Sequence, residues 1–353
     1  MSESIKSILQ NPIFFEQNRV GRVYLGGAGF ADFFGDDSTD GFEPEEWVVS
    51  SVKAINKVIR REKEGVSKIK GTDIFFDTLL ENHKKELLGN RESFSVLTKV
   101  LDSAIRLPVQ AHPDKEFSRK HFNSEYGKAE SWIVLATRPD ACIYFGFKDK
   151  ISKQEFAQAV EQSKTDKTAM EKLLNKIPAH VGDVYFVPAK MVHAIGYGCL
   201  ILEIQEPTDF TIQPEYYCGD YLLNDREMYI GLDHDIALDV FDYSVFGQDA
   251  IKLGKKTPIV FENSNGIKAE HLITYKDTPC FAVDRYTVTS SQLEIKDKPA
   301  VYVVTDGCGE IVCNNNCTPI KKGDYFFLGC SAGACQIKSS DKIEFIVCLP
   351  PQE

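Results

Sequence analysis

The sequence has no run of about 18 apolar residues, so no segment reads as a membrane-spanning helix. Its N-terminal stretch lacks a basic region followed by an apolar one and a small-residue cleavage site, so it does not read as a signal peptide. The expected location is the cytoplasm, with no membrane partner and with the ten cysteines as thiols. Positive charge is scarce: 41 Lys and Arg stand against 52 Asp and Glu, for a net charge of −11. Such a chain has no diffuse attraction for phosphate backbones, which argues against nucleic acid as a partner. An anionic substrate would need a local cationic pocket. The tight two-residue cysteine knuckle is missing too. Cys308, Cys313, Cys317, Cys330 and Cys335 are more widely spaced, and they read as buried thiols filling a barrel, not as a zinc site.

What is present suits a large β protein. The chain has 353 residues, 43% of them hydrophobic and 11% aromatic, enough for two domains rich in strands. Short strands are expected at 184–187, 200–205, 282–288, 300–304, 324–328 and 343–348, with strand-like text over 93–111 broken at Asp102–Ser103. Glu46-Trp47-Val48-Val49 reads as extended, and the mixed-charge run from Arg60 to Lys70 as a solvated face. Two helical insertions interrupt this pattern. One covers 72–89, with Thr72 and Asp73 as caps and Gly89 as the stop. The other covers 151–177; Ser152 and Glu155 form a capping box, Leu173 and Leu174 belong to its apolar face, and Pro178 ends it. The architecture is mainly β with helical insertions, built of barrels or sandwiches with a small helical cap.

A weak internal repeat supports two such units. Gly182-Asp183 leads into an apolar strand, and Gly323-Asp324 does the same 141 residues later. The first copy continues through Pro188 to His193, a spacing that resembles the second motif of the cupin family. The position equivalent to His193 in the second copy is Ala334, which cannot ligate a metal. The expected domains are therefore 1–258, carrying metal and catalysis, and 259–353, a metal-free copy. Earlier in the first unit, Gln110 and His112 form an i, i+2 pair, as do Lys128 and Glu130. On strands each pair projects from one face. Gln110, His112, Glu130 and His193 offer two imidazoles, a carboxylate and an amide oxygen. That donor set suits one Zn²⁺ with a position left open for substrate.

Gln-x-His-Pro-Asp, then Gly-Lys-x-Glu, then Gly-Asp followed by Pro188 and His193, occur here in an order that resembles type I phosphomannose isomerase (mannose-6-phosphate isomerase). The resemblance extends to Glu46-Trp47, Leu87-Leu88-Gly89 and Thr208-Asp209. It implies tandem cupin (jelly-roll) barrels with a helical insertion, zinc at the four positions above, and a small-molecule substrate. The implied reaction interconverts mannose 6-phosphate and fructose 6-phosphate. Moving a proton between C1 and C2 through an enediol needs a base, and either Glu203 or Asp209 can serve. Lys128 can stabilise negative charge or bind phosphate.

Two positions depart from the family pattern. Pro108 stands where a serine associated with the phosphate is usual, and Gln213 where an arginine is usual. Glutamine keeps hydrogen bonding but loses charge. Activity on mannose 6-phosphate is therefore expected to be low unless another cation compensates, and Gln213→Arg to raise it; Lys190, Arg106 and Arg226 are the candidates. The alternatives are a weakened or altered cupin acting on a different sugar, and a non-catalytic sugar-binding regulatory protein. An iron oxygenase is disfavoured by Gln-x-His in place of His-x-His. Oligomeric state is not readable from the sequence.

Overall fold

The computed structural model describes residues 3–57 and 60–352. The fold is mostly β. A seven-stranded antiparallel sheet carries the first unit, in the spatial order Lys255–Lys256, Val184–Val187, Glu130–Thr137, Cys199–Gln205, Leu97–Asp102, Glu45–Val48 and Arg19–Val20. Both of its faces are buried, and alternation sorts the side chains between them. Leu200, Leu202 and Ile204 point outward into a core shared with Phe281, Val301 and Phe327 of the C-terminal part. Ile201 points inward with Trp132, Val134 and Tyr185. A smaller sheet of Leu174–Pro178, Cys142–Phe147 and His193–Ile195 closes the other side of the barrel. The inward face becomes polar toward one end, where Glu203 lies opposite both Trp132 and Lys99, and Gln205 opposite Glu130.

The C-terminal strands form an eight-stranded sheet, whose edge is extended by Ile13–Phe14 pairing with Phe326–Phe327. Its strands are longer than the sequence suggests: Ala282–Ile295, Ala300–Cys313 and Cys335–Leu349. Bulges at Thr289/Ser291 and Val304/Asp306 let pairing continue where the apolar alternation stops. The interior holds Tyr302, Phe326, Phe345, Val347 and neighbouring apolar side chains. Cys313 and Cys335 are also there, but as a disulfide and not as thiols. They face each other across adjacent strands with Cα atoms 4.3 Å apart, a proximity that a 22-residue separation does not reveal. Cys308, Cys317 and Cys330 are exposed, so they do not fill the barrel.

The internal repeat is realised in matching turn hydrogen bonds. Gly182 (φ 88°) donates to Val134 O and Gly323 (φ 91°) to Val304 O. Asp183 accepts from His180 N–H, and Asp324 from Lys321 N–H. Met191 N–H bonds Pro188 O, and Ala332 N–H bonds Gly329 O. Both glycines need the left-handed backbone that lets the turn enter its strand.

Other expectations need correction. The first insertion contains helices Phe76–Asn82 and Lys84–Leu88, and Thr72 makes a local turn with Ile69 instead of a cap. The second holds the helix Lys153–Gln162, where the Ser152–Glu155 capping box is present, and a single 3-10 turn at Glu171–Leu173. Leu174 and Pro178 belong to a strand paired with Cys142–Phe147, so tertiary pairing overrides the apolar spacing. The run from Arg60 is not wholly solvated, because Glu64 is buried and accepts from Gly21 N–H. Within 93–111 the regular strand is Leu97–Asp102. Among the described residues no helix is long and apolar enough to cross a membrane.

Candidate metal centre and active site

His112, Glu130 and His193 converge inside the first barrel, with ligand atoms within 4.8 Å of one another and all three side chains buried. Three backbone elements bring them together. The extended segment at Gln110–His112 bridges His193 through Gln110 and Ile212 through Ala111. Asp114 then caps the helix Lys115–Phe122 by accepting from Phe117 N–H. Glu130 opens its strand, and His193 begins the strand after the Gly-Asp turn.

The imidazoles are oriented by backbone carbonyls. His112 Nδ1 lies 2.9 Å from Phe210 O, and His193 Nδ1 lies 2.8 Å from Met191 O. With Nδ1–H donated there, each Nε2 presents a lone pair. His112 Nε2 is 3.1 Å from Glu130 Oε2, and His193 Nε2 is 3.3 Å from Glu130 Oε1. These are acceptors facing acceptors. Among the described residues, both Glu130 oxygens and His193 Nε2 lack a hydrogen-bond partner. Protonating the rings would relieve the arrangement, but burial opposes it. Burial, then Lys128, lowers the His112 pKa to about 3, and burial lowers that of His193. Burial would raise the Glu130 carboxyl, but Lys128 and the two histidines hold it well below the usual range. Lone pairs converging on one point in a dry interior fit a divalent cation. Gln110 lies beside this group through its bridge to His193.

A cavity of about 540 Å³ opens next to the triad, and Gln110, Lys128, Glu203, Asp209 and Gln213 line it. Lys128 Nζ stands 3.1 Å from His112 Nε2 and 3.3 Å from Glu130 Oε2. Glu203 accepts from Trp132 Nε1–H at 3.1 Å and lies 3.3 Å from Lys99 Nζ. Burial, then repulsion from Glu130, raises its pKa. Asp209 is fully engaged: Arg22 donates to both of its oxygens, and Ile55 N–H donates at 2.9 Å.

The sequence reading missed Arg22, Glu45 and Lys99. Arg22 bridges Glu45 and Asp209, and Lys99 sits among Glu45, Glu203 and Asp209. Burial disfavours the Lys99 ammonium, but those carboxylates outweigh it and raise its pKa. A lysine inside the strand-like run 97–101 was a readable signal of a buried charge in need of partners, but not of which partners. Arg22 carried none. Of the three proposed cationic replacements, Arg226 lines the cavity; Arg106 is instead paired with Glu171 and Glu215. Lys190 occupies a turn and is absent from the cavity lining.

Residues 39–128 match the family model for the catalytic domain of phosphomannose isomerase type I. A mannose-6-phosphate isomerase of Streptococcus mutans is 30% identical over 329 residues, covering 91% of this chain and 93% of that protein. Mannose-6-phosphate isomerase ManA of Bacillus subtilis is 30% identical over 264 residues, 73% of this chain and 77% of that one. In fold, the crystal structure of the Bacillus subtilis mannose 6-phosphate isomerase superposes with a TM-score of 0.77 at 24% identity, covering 96% of this chain and 99% of that one. The chain belongs to the type I phosphomannose isomerase family, and it is an isomerase of the tandem-cupin fold.

Proposed function

We propose that the chain is a cytoplasmic, zinc-dependent isomerase that interconverts mannose 6-phosphate and fructose 6-phosphate through an enediol. The observation that carries this reading is the set of unpartnered acceptors on Glu130 and His193 beside a cavity walled by Lys128 and Glu203. Gln110, His112, Glu130 and His193 would hold the ion. Zinc there supplies Lewis-acid polarisation of the sugar oxygens. Glu203 is the base for the C1/C2 proton. Its pKa, raised by burial and then by repulsion from Glu130, supports this, because raising a carboxylate's pKa makes it a stronger proton acceptor. Lys128 offers a fixed positive charge to the enediolate. Asp209 acts by position: held by Arg22 and the Ile55 N–H, it steadies the cavity wall and leaves proton transfer to Glu203. Residues 1–258 form the catalytic unit, and 259–353 a metal-free barrel whose packing supports it.

The test is a screen of metal-loaded protein against phosphorylated and free hexoses, followed by NMR. Conversion of mannose 6-phosphate to fructose 6-phosphate at least about tenfold better than mannose to fructose is expected. Preference for a free sugar would reject the substrate assignment.

A further inference from the structure

Five cationic side chains line the cavity: Arg22, Lys57, Lys99, Lys128 and Arg226. Three are spent on carboxylates of the protein. Arg22 holds Glu45 and Asp209, Lys99 lies closest to Glu203, and Lys128 lies against Glu130. Arg226 is exposed at the cavity wall and makes no ion pair with the described residues. Glu227, its sequence neighbour, does not quench it. One Glu227 oxygen accepts from Tyr221 Oη–H at 2.7 Å, and the other from Asn224.

The segment carrying Arg226 is pinned from the cavity side. Gln213 N–H donates to Met228 O at 2.9 Å, and Gln213 Nε2–H donates to Glu227 O at 2.9 Å. The short helix Asp225–Tyr229 also begins with a capping box between Asn224 and Glu227. Lys57 lines the same cavity without an ion pair among the described residues, but an ammonium lacks the planar fork that matches a phosphate. We infer that Arg226 binds the 6-phosphate of the substrate, and that Gln213 is a positioning residue that fixes the helix presenting it. This rests on the isomerase reading above. It gives Gln213 a role that needs no charge: the cation is supplied from the next element, and the amide holds that element in place.

Two measurements on the metal-loaded protein test the inference. The first is calorimetry with inorganic phosphate. Arg226→Gln is expected to weaken phosphate binding about tenfold, and Arg226→Lys to restore part of it. The second is steady-state kinetics with mannose 6-phosphate. Arg226→Gln should raise KM about tenfold with kcat changed less than about twofold, the pattern of lost uniform binding. Gln213→Met should raise KM in the same direction, and adding it to Arg226→Gln should add little, because both act through one side chain. Equal phosphate affinity in wild type and Arg226→Gln, or no measurable affinity in either, overturns the proposal. A wild type that binds phosphate through Arg226 but does not turn over mannose 6-phosphate would support the anion site and overturn the isomerase reading instead.

Discussion

Replacing His193 with alanine is expected to remove metal and activity together. The side chain is fully buried, its Nδ1 is fixed on Met191 O, and its Nε2 has no partner except the point toward which Glu130 Oε1 also aims. Losing an oriented ligand should cost metal affinity well beyond the roughly 10–100-fold typical of its supporting hydrogen bonds. Metal content by atomic emission should fall from about one ion per chain to near background. Turnover should fall in parallel. His271→Ala serves as the control: His271 pairs with Asp284 in the C-terminal sheet, so metal content should not change. Full metal content in His193→Ala would show that this imidazole is not a ligand.

The second large effect is expected at Glu203. Glu203→Gln keeps the shape and a hydrogen-bond acceptor for Trp132 Nε1–H but cannot take a proton. Loss of a positioned general base lowers kcat by about 10²–10⁴. The pH profile gives an independent readout. The base must be ionised to act, and burial with Glu130 nearby raises its pKa above the ordinary carboxylate value. Activity should therefore hold at high pH and fall as pH drops through that raised pKa, at a higher pH than an exposed glutamate would give. In Glu203→Gln the residual rate should lose this acidic limb. Asp209→Asn should instead keep the limb while changing KM, since Asp209 meets Arg22 and the backbone at Ile55. A retained acidic limb in Glu203→Gln would move the base elsewhere.

How much of this was legible in the sequence depended on how local the signal is. His112, Glu130 and His193 were readable because each sits in a short motif whose geometry is set by neighbouring residues: the Asp114 cap, the strand start, the Gly182 turn. The Gly-Asp repeat was readable for the same reason, and the hydrogen bonds within its turns recur 141 residues on. The Arg22–Glu45–Lys99–Glu203–Asp209 network was not, since it joins residues up to 187 positions apart. Register across three strands brings Glu45, Lys99 and Glu203 together, and Arg22 and Asp209 join them from the loops that follow. The same limit explains Cys313–Cys335 and the lengths of the C-terminal strands, which bulges extend past their apolar alternation. Read by charge alone, Gln213 is a weakened arginine. The bond from its amide to Glu227 O adds a structural cost to Gln213→Arg that the sequence does not display.

As proposed, the buried His112–Glu130–His193 group is a metal centre and the isomerisation depends on it. The direct measurement is turnover of mannose 6-phosphate by chelator-stripped protein as zinc is added back, with bound metal determined at each point. Activity should start near zero, rise linearly with bound zinc and saturate at about one ion per chain, with no rise in His193→Ala. Full turnover by metal-stripped protein, or none at one bound ion per chain, would contradict it.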